Sequence, residues 1–306
     1  MKITNNINDL PRDHSFGLTI GNFDGFHKGH QELVSEVRSI CDAKNLELVL
    51  VTFVPHPISI LKNEKGFLLN SYMERRELLE NYGVKWLVEI PFTRDFSTLD
   101  PGQFLNSSIL GHPNIKMIFL GYDFAFGANK KGDHQFVKDH CKDLDVEVLI
   151  QKKFKGDNGT FSSSLARSFL DKGEPEKAAD ILGRPFYIKG RVIKGAGRGK
   201  QIGFPTANIE CDFSRKVPEI GVYATTCEYR NGLYKSITNI GHNPTFNDDK
   251  KLNVETFIYD FDEDIYGEEI KVNFLSKIRD EKKFSSVNDL IQQIKMDVEQ
   301  RREFDA

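Results

Sequence analysis

Three glycines and two histidines fall within ten residues, the segment Gly21–His30 (GNFDGFHKGH). It follows a short apolar run at Gly17–Gly21. It precedes Gln31–Lys44, where Leu33, Val34, Val37, Ile40 and Cys41 recur at helical spacing. A strand end feeding a helix start is a place for phosphates, because unpaired N–H groups and the helix dipole both favour anions. Gly21, Gly25 and Gly29 let the backbone turn tightly and approach a ligand without a Cβ in the way. His27 and His30, three apart at a helix start, can point both imidazoles into one space. Two such donors can stabilise negative charge building at phosphorus, the dominant effect in phosphoryl-group chemistry. Taken alone, an HxxH pair is an ordinary surface feature; here strand, glycines, histidines and helix start coincide. There is no GxxxxGK[ST], so this is not a P-loop.

A second constellation lies at Gly190–Asn208, rich in Gly, Lys and Arg. It reads as a flexible flap whose N–H groups and cations could close over phosphates. A Gly/Lys/Arg loop by itself is more often an exposed turn. Its sequel is more telling: Thr206 and Asn208 alternate, so on an extended strand they share a face. Both offer neutral hard oxygens, which suit Mg²⁺ where nucleotide phosphates supply the negative charge. Elsewhere, His56 sits in a proline-stiffened loop, Thr52–Pro57, just past a strand, at the sheet edge where ligands bind. The serines at 162–164 open a helical stretch and can cap it.

The elements that must position these residues come in two textures. In the first half, strand-like runs (Gly17–Gly21, Leu46–Phe53, Val84–Ile90, Ile115–Leu120, Val146–Ile150) alternate with helical ones (Gln31–Lys44, Ser71–Tyr82, Asp100–Ile109 with Pro101 in its first turn, Asp133–Asp143). That alternation means βαβ units and a doubly wound parallel sheet. Helical stretches at Ser163–Lys172 and Pro175–Leu182 follow. Past Gly183, short apolar stretches (Phe186–Val192, Val222–Cys227, Ile237–Ile240, Val254–Tyr259, Ile270–Phe274) separated by turn residues predict an antiparallel sheet or small barrel. Ser286–Phe304 is helical, with Val287, Leu290, Ile291, Ile294 and Val298 on one stripe. The joint is expected near 183–187.

At 306 residues the chain is long enough for two domains. With 42 Lys+Arg against 45 Asp+Glu, its net charge of −3 gives no global basic field for nucleic acid or anionic lipid. Cys41, Cys141, Cys211 and Cys227 are scattered, suggesting neither a disulfide framework nor a zinc site, and free thiols fit a reducing cytoplasm. The first residues hold no apolar signal-peptide region, and the longest apolar stretch, Leu46–Val54, is too short to span a bilayer. A cytoplasmic protein with no membrane partner is expected.

GNFDGFHKGH resembles the HxGH signature of nucleotidylyltransferases and, in this extended form, the bacterial bifunctional riboflavin kinase/FAD synthetases. Gly195, Gly197, Arg198, Gly199 and Gly203 through Asn208 match every defining position of the similar riboflavin kinase signature, G-x-G-R-G-x-x-x-G-F-P-T-A-N. Matching segments run in order from about Gly17 to Asp297. The resemblance implies an α/β fold: an N-terminal doubly wound, Rossmann-like FMN adenylyltransferase domain (1–183), then a C-terminal antiparallel β-barrel riboflavin kinase domain (184–306) with a closing helix. It implies phosphorylation of riboflavin to FMN by Mg-ATP, then transfer of AMP from ATP to FMN, giving FAD and pyrophosphate by direct in-line attack.

The same resemblance implies roles for particular residues. His27 and His30, with Gly21, Phe23, Asp24 and Gly29 around them, bind ATP and stabilise adenylyl transfer. Asp123, in Gly121–Gly127, helps hold Mg²⁺ or the nucleotide, and His56, Phe124 and Phe126 line the flavin side. Ser163 and Ser164 bind nucleotide, and Arg167 neutralises departing pyrophosphate. In the second half Gly195, Gly197, Arg198, Gly199 and Lys200 cover the nucleotide, and Thr206 and Asn208 are Mg²⁺–nucleotide ligands. Glu255 is the general base: a primary alcohol attacking ATP needs a proton acceptor, although a lone strand Glu is otherwise a solvent-facing residue. Asn239–Phe246 and Val254–Phe261 also match the family in order. Phe284 touches flavin, whereas Arg279 and Asp297 fit the family pattern but could equally be ion-pair partners. Ala125 stands where the family usually has Arg, Asn70 where Thr is usual, and Ser164 and Ala166 replace a Thr and a larger apolar residue. Two other readings stay open: a kinase with a weak or redirected nucleotidylyltransferase, and a flavin- or nucleic-acid-binding regulator on this scaffold. The second is disfavoured by retention of His27, His30, Thr206, Asn208 and Glu255. Small-molecule substrates, no nucleic acid, and a monomer or weak homo-oligomer are expected.

Overall fold

The computed structural model describes residues 1–122, 124–152, 154–156, 159–195, 197–212, 214–242 and 252–303. It divides into two compact units, Met1–Ser163 and Ser164–Ala306. In chain order the first holds β1 (Lys2–Thr4), β2 (Phe16–Ile20), α1 (Lys28–Ala43), β3 (Glu47–Val54), α2 (Pro57–Leu61), α3 (Tyr72–Asn81), β4 (Trp86–Pro91), α4 (Pro101–Phe104) and β5 (Ile115–Leu120). The short strands β6 (Ala125–Phe126) and β7 (Gly132–Asp133), then α5 (His134–Cys141), β8 (Glu147–Ile150), β9 (Lys155–Gly156) and β10 (Gly159–Thr160) complete it.

Six strands form one sheet in the order β1-β4-β3-β2-β5-β8, every pair parallel. Unbroken apolar runs become central strands because both faces are covered. Every residue of β2 is buried, and β3 sends Val49 and Val51 to one core and Leu48 and Leu50 to the other. The α1 residues Leu33, Val34, Val37 and Cys41 fill the second core, as their spacing predicts. Burying a side chain of that size contributes about 1.5–3 kcal/mol, so this face holds the start of α1 at the end of β2.

Two local features differ from the sequence reading. β1 was not anticipated: three residues, two of them exposed, add to the sheet edge beside β4. The helix expected over Asp100–Ile109 starts as foreseen, with Pro101 in the first turn and a reciprocal Asp100–Gln103 cap, but widens into a π-turn over Leu105–Ile109.

The first unit ends at the first residue of α6 (Ser163–Asp171), and α7 (Pro175–Leu182) follows in the second. β11 (Phe186–Ile193), α8 (Arg198–Gln201), β12 (Thr206–Ile209), β13 (Gly221–Tyr229), β14 (Gly232–His242), β15 (Leu252–Ile258), β16 (Glu269–Arg279) and α9 (Val287–Glu303) follow. The strands close an antiparallel barrel in the order β11-β12-β15-β14-β13-β16. The division into compact units falls between Ser163 and Ser164, and α7 packs on β11 and β16. From α9, Val298 and Ile294 pack with Val222, Ile237 and Tyr259. At the other end of its stripe Val287 stays 60% exposed, so the apolar face is covered toward its C-terminal half.

Candidate active sites

Between Ile20 and Lys28 the chain makes a turn in which Phe23 (φ 51°), Gly25 (φ 74°) and Phe26 (φ 36°) all take left-handed conformations. For two phenylalanines that conformation costs energy and persists only where the surroundings fix it. Both rings are fully buried. The Asn22 carbonyl accepts hydrogen bonds from Arg75 Nη1 (3.0 Å) and Thr52 Oγ1 (3.3 Å). The Asp24 carboxylate accepts from the Leu69 N–H (2.9 Å), and its carbonyl from Ser163 Oγ (2.8 Å). Arg75 is in turn held by Glu89 at 3.1 Å, both side chains 3% exposed, and Arg76 pairs with the same carboxylate.

That turn delivers the two histidines. His27 caps α1, its Nδ1 accepting the His30 N–H at 3.3 Å. In that bond Nδ1 accepts, which leaves Nε2 as the ring nitrogen that carries a proton. The His30 ring stacks on it, centroids 3.7 Å apart and planes 17° from parallel, with the edge of Phe23 5.1 Å away. Burial first, then the neighbouring His27, holds the His30 pKa well below the ordinary histidine value, although part of the residue reaches solvent. His30 Nδ1 is buried with no hydrogen-bond partner among the described residues. At Gly29 a Cβ would stand 3.2 Å from the His27 ring and from Phe161, so a side chain there would press on both by a few tenths of an ångström.

The other residues expected around this site divide sharply. The Phe23 side chain lies wholly in the core, so only its backbone can face a ligand, and the Asp24 carboxylate is turned to Leu69. Ser163 donates to Asp24 instead of capping its own helix. Ser164 and Arg167 follow on α6 in the second unit. His56 caps α2, accepting from the Ile58 N–H at 3.2 Å, and is buried against Phe67. Phe124 and Phe126 stack at 5.1 Å, and Phe126 continues into the core through Phe104. Asp123 lies outside the described residues, as do residues 243–246 of the Asn239–Phe246 segment.

In the barrel the expected group comes together through strand register. Asn208 on β12 pairs with Glu255 on β15, which pairs with Asn239 on β14. Thr206, two residues from Asn208 and on the same face, directs its hydroxyl at Glu255 Oε2, 3.5 Å away. The glycine loop lies close against this face: a Cβ at Gly195 would stand 2.2 Å from Asn208 Nδ2, and one at Gly199 2.3 Å from the Phe204 carbonyl. Gly197 (φ 69°) and Gly203 (φ 86°) supply left-handed turns on either side of α8. The segment expected to be a flexible flap is therefore a strand end, one helical turn bearing an exposed Lys200, and a second strand. Ala196 and the Arg198 side chain lie outside the description. Among the described residues no three His, Cys, Asp or Glu gather to hold a metal. Two neutral oxygens beside one carboxylate fit a hard cation that shares its charge with phosphates. Arg279 grips Asp297 through three hydrogen bonds of 2.7–3.0 Å and stands 5.8 Å from the Phe284 ring, which settles that pair as an ion pair.

Two residues escaped the sequence reading. Arg75 carries no signal in a polar helix. Asn253 does: it sits two before Glu255 on an alternating strand, and its Nδ2 bonds both Glu255 Oε1 and Asn208 Oδ1.

Comparison with known proteins bears on both sites. A family model described as FAD synthetase matches residues 10–165, and one described as riboflavin kinase matches residues 182–304. The bifunctional riboflavin kinase/FMN adenylyltransferase of Bacillus subtilis is 35% identical over 92% of this chain and 89% of its own. The protein of that name from Escherichia coli K12 is 32% identical over 99% of this chain and 98% of its own. The chain belongs to this family. A crystal structure titled macrolide-efflux protein, from Streptococcus pneumoniae, matches with a TM-score of 0.88 at 33% identity, covering 98% of each chain. Among the described residues no helix is long and apolar enough to cross a membrane. For the bifunctional family, the parallel sheet with its histidine turn and the closed barrel with its polar face correspond to the two model-matched segments.

Proposed function

We propose that the chain converts riboflavin to FMN at the barrel face and FMN to FAD at the histidine turn, consuming one ATP at each. The observation that carries this reading is the ladder row Asn208–Glu255 beneath the Gly195–Gly199 loop, with Thr206 directed at the same carboxylate. A base with neutral oxygens beside it suits phosphoryl transfer to an alcohol, and binding alone would need no base. Glu255 accepts the proton of the ribityl 5′-hydroxyl as it attacks the γ-phosphate. Thr206 and Asn208 orient the nucleotide's phosphates, and Gly195, Gly197, Arg198, Gly199 and Lys200 cover them. Thr206 and Asn208 would hold Mg²⁺ together with the nucleotide's phosphates, where it would supply charge neutralisation at the transferring group. Phe284 lies against the flavin.

In the second step the nucleophile is the FMN phosphate, already anionic at neutral pH, so the site must supply donors and needs no base. His27 Nε2–H and His30, at the helix start with Gly21 and Gly29, stabilise the charge that builds at the α-phosphorus. Arg167 neutralises the leaving pyrophosphate, with Ser163, Ser164 and Asp123 on the nucleotide and His56, Phe124 and Phe126 on the flavin side. The adenylyltransferase function is assigned to residues 1–183 and the kinase function to 184–306. The enzyme is cytoplasmic, a monomer or weak homo-oligomer, and takes no nucleic acid. Ala125, exposed on β6 where the family usually has Arg, favours one alternative, a kinase whose adenylyl transfer is weak. Chromatography of the flavins after mixing the protein with Mg-ATP and either riboflavin or FMN tests the reading. FAD from both substrates is expected; FMN as the end product, with no FAD from added FMN, would establish the alternative.

A further inference from the structure

We infer that Asn253 is a positioning residue for the kinase step, fixing which oxygen of Glu255 receives the proton and how Asn208 faces the nucleotide. Residues 253 and 255 leave β15 on the same face. Asn253 Nδ2 donates to Glu255 Oε1 at 2.5 Å and to Asn208 Oδ1 at 3.3 Å. Both partners are acceptors, so the amide nitrogen, not the oxygen, must face them. One carboxamide therefore ties the base on β15 to the carbonyl oxygen on β12. With Oε1 engaged by the short amide bond, Oε2 carries only the long 3.5 Å contact from the Thr206 hydroxyl and is the oxygen better placed to accept from an incoming alcohol. Asn208 Oδ1 keeps a second lone pair for the nucleotide's cation. Without the Asn253 amide, Glu255 would keep only the long Thr206 contact, and small misplacements of a reacting group slow chemistry steeply.

This inference rests on Glu255 being the base, and its test separates the two. Riboflavin phosphorylation is measured on the full chain for Asn253→Ala, the isosteric Asn253→Asp and the amide-keeping Asn253→Gln, each alone and combined with Glu255→Gln. Asn253→Ala and Asn253→Asp should lower kcat roughly 10- to 100-fold, raise the KM for Mg-ATP several-fold and leave the riboflavin KM nearly unchanged. Asn253→Gln should recover part of the loss, and the melting temperature and FMN-to-FAD conversion should stay at the parent's level. In the Glu255→Gln background, removing Asn253 should cost no further kcat, because the group it positions is gone. A parent-like kcat for Asn253→Ala beside an inactive Glu255→Gln would overturn the positioning role and leave the base. The same penalty in both backgrounds would also overturn it. A Glu255→Gln enzyme at full rate would remove the base and, with it, anything to position. Should Asn253→Ala not fold, the Asp and Gln variants decide.

Discussion

The histidine turn and the barrel face use the same co-substrate but are built in opposite ways. In the turn, function depends on distant residues: a left-handed backbone at Phe23 and Phe26 is held by Arg75, Glu89, Thr52, Leu69 and Ser163. In the barrel, Thr206, Asn208, Asn253 and Glu255 are near neighbours across one antiparallel ladder. The proton requirements differ in the same sense. A phosphate nucleophile comes ionised and asks for donors, which the stacked imidazoles supply. An alcohol must lose its proton and asks for an acceptor, which Glu255 supplies. Lone acceptors fit easily on a rigid strand, whereas two converging imidazoles need a shaped, buried turn.

The contrast breaks most visibly at its two centres. Glu255→Gln should lower FMN formation by roughly 10²–10⁴-fold, the usual contribution of a positioned base, while FAD synthesis from added FMN stays at the parent's rate. A variant that still phosphorylates riboflavin normally would remove Glu255 from the chemistry. His30→Ala should do the reverse, costing roughly 10²–10³-fold in FMN adenylylation as expected for loss of one transition-state donor, with FMN formation untouched. The dependence of the turn on remote supports predicts that Arg75→Met destabilises by about 3 kcal/mol or more, because Glu89 is left buried with one of its partners gone. Denaturant unfolding reads that loss, and a neutral result would mean Arg76 alone suffices. Gly195→Ala should raise the kinase KM for Mg-ATP about tenfold, since the new methyl would press on Asn208 and overpacking costs about 1–3 kcal/mol. FMN adenylylation again serves as the comparison.

The smallest effect concerns pH. The folded-state pKa of His30 lies below its unfolded value, so below about pH 6.5 the unfolded chain takes up a proton that the folded chain refuses. The stability contribution from neutral His30 is thus present above that pH and lost as pH falls. Melting temperatures from pH 7.5 to 5.5 should drop less steeply for His30→Gln than for the parent; equal slopes would remove the buried histidine as the cause.

Most of the scaffold could be read from the chain because its strands are either continuous apolar runs, as in Leu48–Val51, or short apolar stretches set off by turn residues, as in Val222–Cys227. β1 could not, since a three-residue edge strand with two exposed residues carries no pattern. The π-turn at Leu105–Ile109 shares its apolar spacing with an ordinary helix. At the sites, short-range motifs were readable: glycine spacing, the His27–His30 interval, the alternation of Thr206 and Asn208. Orientation was not. Nothing local says that the Phe23 ring turns inward, that the Asp24 carboxylate serves Leu69, or that Arg75 reaches Asn22, because each depends on a neighbour brought by the fold. Asn253 lies between these cases, visible by alternation once Glu255 is singled out.

Two separately built sites that perform consecutive steps should complement each other when variants of each are mixed. Riboflavin and Mg-ATP are supplied to Glu255→Gln protein, to His30→Ala protein, and to an equal mixture of the two. The first alone should yield unchanged riboflavin, the second should stop at FMN, and the mixture should make FAD. A mixture that accumulates FMN without FAD, although Glu255→Gln protein adenylylates added FMN, would contradict independent sites joined by a released intermediate.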